Sequence, residues 1–247
     1  MLCIFNYKIY YFKKLLHKPQ FCDIIYYIHD YYNERTLYMG SGFTKQELLY
    51  LKKRFNARSA KFSKNETILH IDQDSNQVCF VLEGTAYLCA ENEQCERSIL
   101  RFFRIGEYFS ASMLVPSEYA VSFITAKYPS EIVFFNREEL FRFCAANHDW
   151  SVKFIRLLSE QGDKGISVSS FVLHQRSIRD RLTGFFRQER EIQGSDNIRI
   201  PIPYTDLADY LACDRSAMMK ELSSMKNEGL IEGKNRDIHL CSLLTEE

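Results

Sequence analysis

The segment that most constrains the fold is residues 206–240, in which two helical patterns are followed by a hairpin pattern. It reads DLADYLACDRSAMMKELSSMKNEGLIEGKNRDIHL. In its first part, Leu207, Ala208 and Leu211 place apolar side chains on one face at helical spacing, and Tyr210 can extend that face. Residues 212–214 then break the pattern, which predicts a short helix followed by a tight turn.

The turn leads into a second predicted helix, residues 215–227. Asp214 is well placed to cap it, because its carboxylate can accept the free backbone amides of the first turn. Met218, Leu222 and Met225 form an inward apolar stripe. Gly229 suits the end of the helix. The opposite side would hold side chains able to face a groove: Arg215, Ser216, Met219, Lys220 and Ser223.

After the second helix, LIEGKNRDIHL contains two short apolar runs around a Gly-Lys-Asn-Arg turn, which predicts a β-hairpin wing. Two helices around a tight turn are typical of DNA-binding domains, whose second helix meets base edges in the major groove. We therefore predict base contacts from Arg215, Ser216 and Lys220. The alternative is that the helix pair and hairpin form only a packing unit. Phosphate contacts are expected from the flanks and wing, at Thr205, Lys234 and Arg236.

The runs DLADYLACDRSAMMKEL and NEGLI give the segment a family resemblance. They resemble the Crp/Fnr-type bacterial transcription regulators, which usually carry a run like DLADYLGVSRSTVSREL followed by EEGLI. Ala212 stands where the family commonly has Gly, and alanine is tolerated in many turns of this type. Ser216 stands where some members carry a base-reading Glu, which leaves the half-site sequence open. The resemblance extends from about residue 43 to the C-terminus.

The resemblance implies an α+β fold: an N-terminal antiparallel β-roll of jelly-roll type, a long dimerisation helix and a C-terminal winged helix-turn-helix. Residues 60–136 agree independently, because short apolar or alternating runs are separated there by turn-prone pieces. Glu83-Gly84 between two runs predicts a hairpin, and Gly106-Glu107 predicts another turn.

Helical periodicity follows the predicted strands, at residues 137–143 and 150–176. Gly162 and Gly165 argue against a straight helix or mark a bend or a close helix contact. A second copy of the chain would cover the apolar seam in a two-fold dimer, whereas the alternative is that the seam packs on the chain's own roll. The seam would consist of Val152, Ile155, Leu158, Ile166, Phe171 and Leu173.

Cyclic-nucleotide-binding members of the family carry a second Gly-Glu pair and, further on, an Arg-Ser pair. In those members, backbone amides and the Arg neutralise the cyclic phosphate, while the Glu accepts from the ribose hydroxyl. This chain keeps Gly106-Glu107, but Ser110-Ala111 and Ala120-Val121 stand in those two places. A phosphate without its Arg would be an unpaired buried charge, so we predict that cyclic AMP does not bind in the family's usual way. An unidentified neutral or apolar effector, no effector at all, and side chains that are simply core are all left open. The candidate effector pocket consists of Gly106, Glu107, Phe109, Ser110, Met113, Leu114, Tyr119 and Phe123.

The first 38 residues differ from the rest, because they contain 8 of the 15 tyrosines and no Gly or Ala. Met39 opens MGSGFTKQELLYLKKRF, which resembles a natural start of the family's first helix. We expect Met39 to be the initiator and residues 1–38 to be an atypical extension. The domain prediction is then a roll at 39–147, a dimerisation helix at 148–176 and a DNA-binding domain at 177–247.

Composition narrows the function without identifying it. Lys plus Arg equals Asp plus Glu, at 32 each, so net charge does not indicate nucleic acid. The 8 cysteines include no CxxC pair, the 6 histidines form no metal-binding motif, and no nucleophile elbow or phosphate loop is present. We expect no metal, no enzyme activity and no membrane span, and a cytoplasmic regulator that binds an imperfect DNA palindrome as a homodimer and contacts RNA polymerase. The alternative is a protein-interaction or small-molecule-binding module with a vestigial DNA-binding domain.

Overall fold

The computed structural model describes residues 42–70, 76–95, 97–114, 120–159 and 175–241. These residues all belong to one compact unit, Tyr38–Glu247. The predicted N-terminal extension and the start at Met39 lie outside the described residues.

Six helices and eleven strands make up the described part of the chain. The helices are α1 (Lys45–Arg54), α2 (Arg137–Ala146), α3 (residues 148–159), α4 (Ile178–Gln193), α5 (Tyr204–Tyr210) and α6 (Arg215–Asn227), with one 3₁₀ turn at Ala111–Met113. The strands are β1 (Arg58–Phe62), β2 (Glu66–Leu69), β3 (Gln77–Glu83), β4 (Ala86–Asn92), β5 (Arg97–Phe103), β6 (Tyr108–Phe109), β7 (Ala120–Ala126), β8 (Ser130–Asn136), β9 (Asn197–Arg199), β10 (Ile231–Lys234) and β11 (Asp237–Leu240).

The first eight strands form the predicted antiparallel roll, built as two four-stranded sheets. The strand orders are β1-β8-β3-β6 in the first sheet and β2-β7-β4-β5 in the second. One apolar cluster contains side chains of both sheets, among them Phe103, Phe109, Ile124 and Ile132. Burial of these alternating side chains holds the two sheets together.

The hairpin predicted at Glu83-Gly84 is wrong, because β3 and β4 belong to different sheets. Gly84 adopts φ +80°, a left-handed conformation that glycine allows, and the chain crosses there from the first sheet to the second. Ser130 closes this crossing, since its hydroxyl accepts from the Thr85 amide at 3.1 Å. Local sequence shows a turn at this place but not which sheet the next strand joins.

The outer face of the first sheet is covered by α1, α2 and α3. Within α3, Phe154 and Leu157 are buried in this layer, whereas Ile155 is 49% exposed and Leu158 is 41% exposed. The described part of the predicted dimerisation helix therefore packs one face on the chain's own roll and leaves a second apolar face uncovered. The seam residues Ile166, Phe171 and Leu173 lie outside the described residues.

The C-terminal part is a winged helix-turn-helix, as predicted. It contains α4, α5 and α6 and a three-stranded sheet of order β10-β11-β9. Ser177 caps α4 by accepting from the Asp180 amide at 3.1 Å. The sequence pattern did not predict β9, since its three residues bury only Ile198. Among the residues that the structure describes, no helix combines the length and apolar character needed to cross a membrane.

Candidate nucleic-acid interface

Helix α6 is held in place by its inward stripe and by both of its ends. Met218, Leu222 and Met225 are buried, as predicted. At the start, the Asp214 carboxylate accepts from the Ala217 amide at 2.8 Å. At the end, Gly229 adopts φ +72° and its amide donates to the Lys226 carbonyl at 3.0 Å. The sequence therefore specifies the rotation of this helix about its axis and both of its limits.

The outer face of α6 is largely exposed and lines an open groove. The predicted base-contacting residues Arg215, Ser216 and Lys220 all lie along it, which is the arrangement the sequence pattern indicated. Neither Arg215 nor Lys220 forms an ion pair with any residue that the structure describes. Their cationic groups are thus available to an anionic or hydrogen-bond-accepting partner. The other side chains lining the groove are Met219, Ser223, Ser224 and Asn227.

Two of those lining residues, Ser224 and Asn227, were missed by the sequence reasoning. Helical spacing could have placed both residues on this face, because Ser224 follows Lys220 by four positions and Asn227 follows Ser223 by four. The Ser223 hydroxyl donates to the Met219 carbonyl at 3.1 Å, so it is already engaged within the helix.

The predicted phosphate-binding residues do not line this groove. Thr205 is exposed at the start of α5, and its hydroxyl donates to the Asp206 carboxylate at 3.3 Å. Lys234 is exposed at the tip of the wing. Arg236 is half-buried and donates to the Pro201 carbonyl at 3.4 Å. Phosphate contact by these three side chains remains a prediction.

Arg179 of α4 braces α6 and pairs with two acidic side chains, Glu221 and Glu228. Its guanidinium donates to Glu221 at 2.5 Å. It also donates two hydrogen bonds to Glu228, at 2.6 and 2.7 Å, in a bidentate contact. Hydrogen bonds from Arg179, and then from Ser224, lower the pKa of Glu228 to about 2. The Glu228 carboxylate is therefore ionised at neutral pH. Because Glu221 and Glu228 are both paired with Arg179, they repel an approaching phosphate less than unpaired acids would.

The turn between α5 and α6 contains a strained residue, Ala212, whose φ of +48° lies in the left-handed region. The Arg181 guanidinium donates to the carbonyls of Leu211 and Ala212, each at 2.9 Å, and the Cys213 amide donates to the Ala208 carbonyl at 3.0 Å. These contacts hold a conformation that costs an alanine about 1–2 kcal/mol.

Ala212→Gly is therefore expected to raise the free energy of unfolding by about 0.5–1 kcal/mol, since relief of strain exceeds the entropy that glycine loses on folding. Urea denaturation measures this. The matched control is Ala217→Gly inside α6, which should instead lower stability by about 1 kcal/mol. If both substitutions lower it equally, the turn is unstrained.

The candidate effector residues do not share one site in the structure. Phe109 and Leu114 are buried in the core of the roll, and Met113 packs against them. Phe123 belongs to a different cluster, together with Tyr87 and Phe102, on the outer side of the second sheet. Its placement in the pocket is wrong because side chains alternate along β7, so that Ile124 faces the interior and its neighbour faces out.

Of the remaining candidate effector residues, Gly106 and Glu107 lie at the turn before β6, and Ser110 directly follows β6. Gly106 adopts φ +87°, and its carbonyl accepts from the Phe43 amide at 3.0 Å. The Glu107 side chain is buried and accepts from the Arg104 amide at 3.0 Å. Ser110 is buried with its hydroxyl 2.7 Å from that of Ser112. Tyr119 lies outside the described residues.

The cysteines that the structure describes are free thiols. Cys79, Cys89 and Cys144 are buried, as predicted, and Cys95 is exposed in a polar turn. Burial raises the pKa of the Cys79 thiol to about 12 and that of Cys89 to about 11. These two thiols are therefore protonated and poorly reactive at neutral pH.

The fold and the exposed face of α6 define a two-domain regulator in which a β-roll precedes a DNA-binding module. Two family models match the chain: the cyclic nucleotide-binding domain over residues 59–147 and the Crp-like helix-turn-helix domain over residues 178–243. The chain belongs to the Crp/Fnr family of DNA-binding transcription regulators. None of the curated proteins matches it.

Solved structures share this fold over most of their length. A double mutant of CooA from Carboxydothermus hydrogenoformans aligns with a TM-score of 0.66 at 17% identity, covering 86% of this chain and 99% of that one. A cyclic nucleotide-binding domain containing protein from Listeria monocytogenes gives 0.62 at 15% identity, with 79% and 97% covered. FixK2 from Bradyrhizobium japonicum gives 0.58 at 17% identity, with 76% and 96% covered. At these identities the likeness establishes the fold.

Proposed function

We propose that this protein is a homodimeric, sequence-specific regulator that acts in the cytoplasm on an imperfect DNA palindrome. The observation that carries the proposal is the capped helix α6, whose open face gathers Arg215, Ser216 and Lys220. In a two-fold dimer the two copies of α6 would enter successive major grooves, about 34 Å apart. RNA polymerase is the expected further partner, and a change in the roll would re-aim the two helices.

Titration of labelled random-sequence duplex DNA with the full chain, over a series of salt concentrations, tests the DNA-binding activity. The logarithm of the binding constant should fall linearly with the logarithm of the salt concentration, because each phosphate contact releases a bound counterion. Single-stranded DNA of the same sequence is the control. Absence of duplex binding at low salt would contradict the proposal.

Dimer formation is proposed because Ile155 and Leu158 leave an apolar face of α3 uncovered in the single chain. Ile155→Asp is expected to raise the dimer dissociation constant by at least about 100-fold, since a symmetric interface would bury two copies of the new carboxylate. Sedimentation over a range of protein concentrations measures this. Ile155→Val keeps an apolar β-branched side chain at the same position, and it should leave the dimer intact. A monomeric wild type would contradict the dimer.

We also propose that the roll does not bind cyclic AMP in the usual way of its family. Ser110-Ala111 replace the second Gly-Glu pair of the family. Ala120-Val121 replace its Arg-Ser pair, whose Arg neutralises the phosphate. Calorimetric titration with cyclic AMP should show no saturation below about 1 mM, because a desolvated phosphate would lack its counter-charge. A cyclic-AMP-binding member of the family serves as the positive control. Micromolar affinity for this chain would overturn the proposal.

A further inference from the structure

Two carboxylates of the DNA-binding part are buried against the roll. Asp206 of α5 and Glu189 of α4 are each 1% exposed. The Asp206 carboxylate accepts from Lys127 Nζ at 2.5 Å, from the Tyr87 hydroxyl at 2.9 Å and from the Tyr128 hydroxyl at 3.1 Å. All three donors come from the second sheet of the roll or from the turn that leaves it.

The second carboxylate has a cation of its own from the roll. Glu189 pairs with Arg104, which directly follows β5, and it also accepts from Gln193 Nε2 at 2.8 Å. The side chains of Lys127 and Arg104 are 29% and 22% exposed, so both pairs are largely withdrawn from solvent. Each of the two acids is thus matched by a basic residue from the other domain.

An aromatic contact accompanies these two ion pairs. The rings of Phe102 and Tyr210 are 5.1 Å apart, and the Arg104 guanidinium lies 5.2 Å from the centre of the Phe102 ring. Apolar burial stabilises this contact, but the hydrophobic effect is non-directional, so the two surfaces could shift relative to each other. Buried charge pairs contribute little net stability, yet a misaligned pair leaves a charge unpaired at high cost. The two ion pairs therefore restrict how α4 and α5 are oriented on the roll.

The orientation of α5 determines the orientation of α6. The tight turn fixed by Arg181 joins α5 to α6, and Arg179 ties α4 to α6 through Glu221 and Glu228. Helices α4, α5 and α6 therefore form a connected unit, and a tilt of α5 on the roll also tilts α6.

We propose that Asp206–Lys127 and Glu189–Arg104 are positioning ion pairs that fix the angle of α6 relative to the roll. In the dimer they thereby set the separation of the two DNA half-sites that the protein accepts. The four side chains touch no DNA in this assignment, since they act only through the orientation of α6. The inference rests on the proposed function.

A matched pair of double variants tests the proposal. Asp206→Asn with Lys127→Met removes both charges together, and the hydroxyls of Tyr87 and Tyr128 can still donate to the asparagine oxygen. The control, Arg190→Met with Asp196→Asn, removes an ion pair of 2.5 Å that lies wholly within the DNA-binding part. Lys127→Arg keeps the charge and should behave as wild type.

The readout is the binding of duplexes that carry two wild-type half-sites separated by spacers of different length. Wild type and control should bind one spacer length more tightly than the others. In the double variant at Asp206 and Lys127, the ratio of affinities for the best and the other spacers should fall about tenfold. Its affinity for a single half-site should be unchanged, which a general loss of folding would not allow. An unaltered spacer preference, or an equal loss of affinity for single half-sites, overturns the proposal.

A second readout does not require DNA. Hydrogen exchange at the amides of β5 and α5 should be faster in the Asp206 and Lys127 double variant than in the control, because the docked surfaces separate more often. Equal exchange would overturn the positioning role. Failure of the wild type to bind any duplex would instead overturn the proposed function, and the exchange result would remain as a separate test of the ion pairs.

Discussion

Phe185→Ala is expected to lower the free energy of unfolding by about 3–5 kcal/mol, the largest stability effect we predict. Phe185 is fully buried in α4, where its ring lies 6.1 Å from those of Phe186 and Tyr210. Removing it leaves a cavity where α4 packs on α5, and the neighbouring rings cannot fill it without moving apart. Chemical denaturation of the full chain, monitored by circular dichroism, measures the change.

Tyr50→Ala serves as the control for this substitution, because the Tyr50 side chain is an aromatic group that is 52% exposed. Its removal should cost about 1 kcal/mol, since about half of its surface already contacts water and its ring stacks on Trp150 at 5.8 Å. A loss at Phe185 as small as that at Tyr50 would show that the packing of α4 on α5 contributes little to the domain.

Arg215→Ala is expected to weaken binding to the preferred DNA site by about 1–3 kcal/mol, or roughly 5- to 150-fold. Arg215 is the first residue of α6, where such helices meet base edges, and it forms no ion pair within the described residues. Binding to unrelated duplexes should fall much less, because those contacts are made to phosphates. Competition titrations with the preferred and a scrambled duplex measure both quantities.

Arg215→Lys is the informative companion variant. It keeps the positive charge but cannot make the two parallel hydrogen bonds that a guanidinium makes to guanine. Discrimination between the preferred and scrambled duplexes should therefore fall nearly as far as with alanine. Full discrimination by the lysine variant would mean that Arg215 contributes charge alone.

The charge balance of the chain does not reveal the basic side chains on the outer face of α6. Net charge is zero, but three acidic groups of the DNA-binding part are ion-paired: Glu221 and Glu228 with Arg179, and Asp206 with Lys127. Arg215 and Lys220 remain unpaired in the groove among the residues the structure describes. A neutral sequence can thus present a basic groove, because charges are paired unevenly over its surface.

The parts of the fold that the sequence predicted are those determined by local pattern. Helix α6 runs from Arg215 to Asn227 as predicted, because the cap, the apolar stripe and the terminal glycine all lie within one short segment. Many short apolar runs predicted a sandwich or a roll, and the family resemblance implied the roll. Neither showed which strands share a sheet. The partners of β3 and β4 are strands distant in sequence, which a local pattern cannot identify.

The ion pairs between the domains could not be predicted from the sequence, because their partners are also distant along the chain. Asp206 and Lys127 are 79 positions apart, and each resembles an ordinary surface charge in its own segment. Phe123 shows a related limit, since alternation along β7 predicts two faces but not which face lies inside the roll.

Selection of random-sequence duplex DNA by the full chain tests the central claim most directly. The selection should be run with and without a small-molecule extract of cells, so that a required effector is supplied in one arm. We predict enrichment of a two-fold symmetric site whose half-sites are separated by about one turn of DNA. Failure to enrich any sequence in either arm would contradict the assignment of α6 as a base-reading helix.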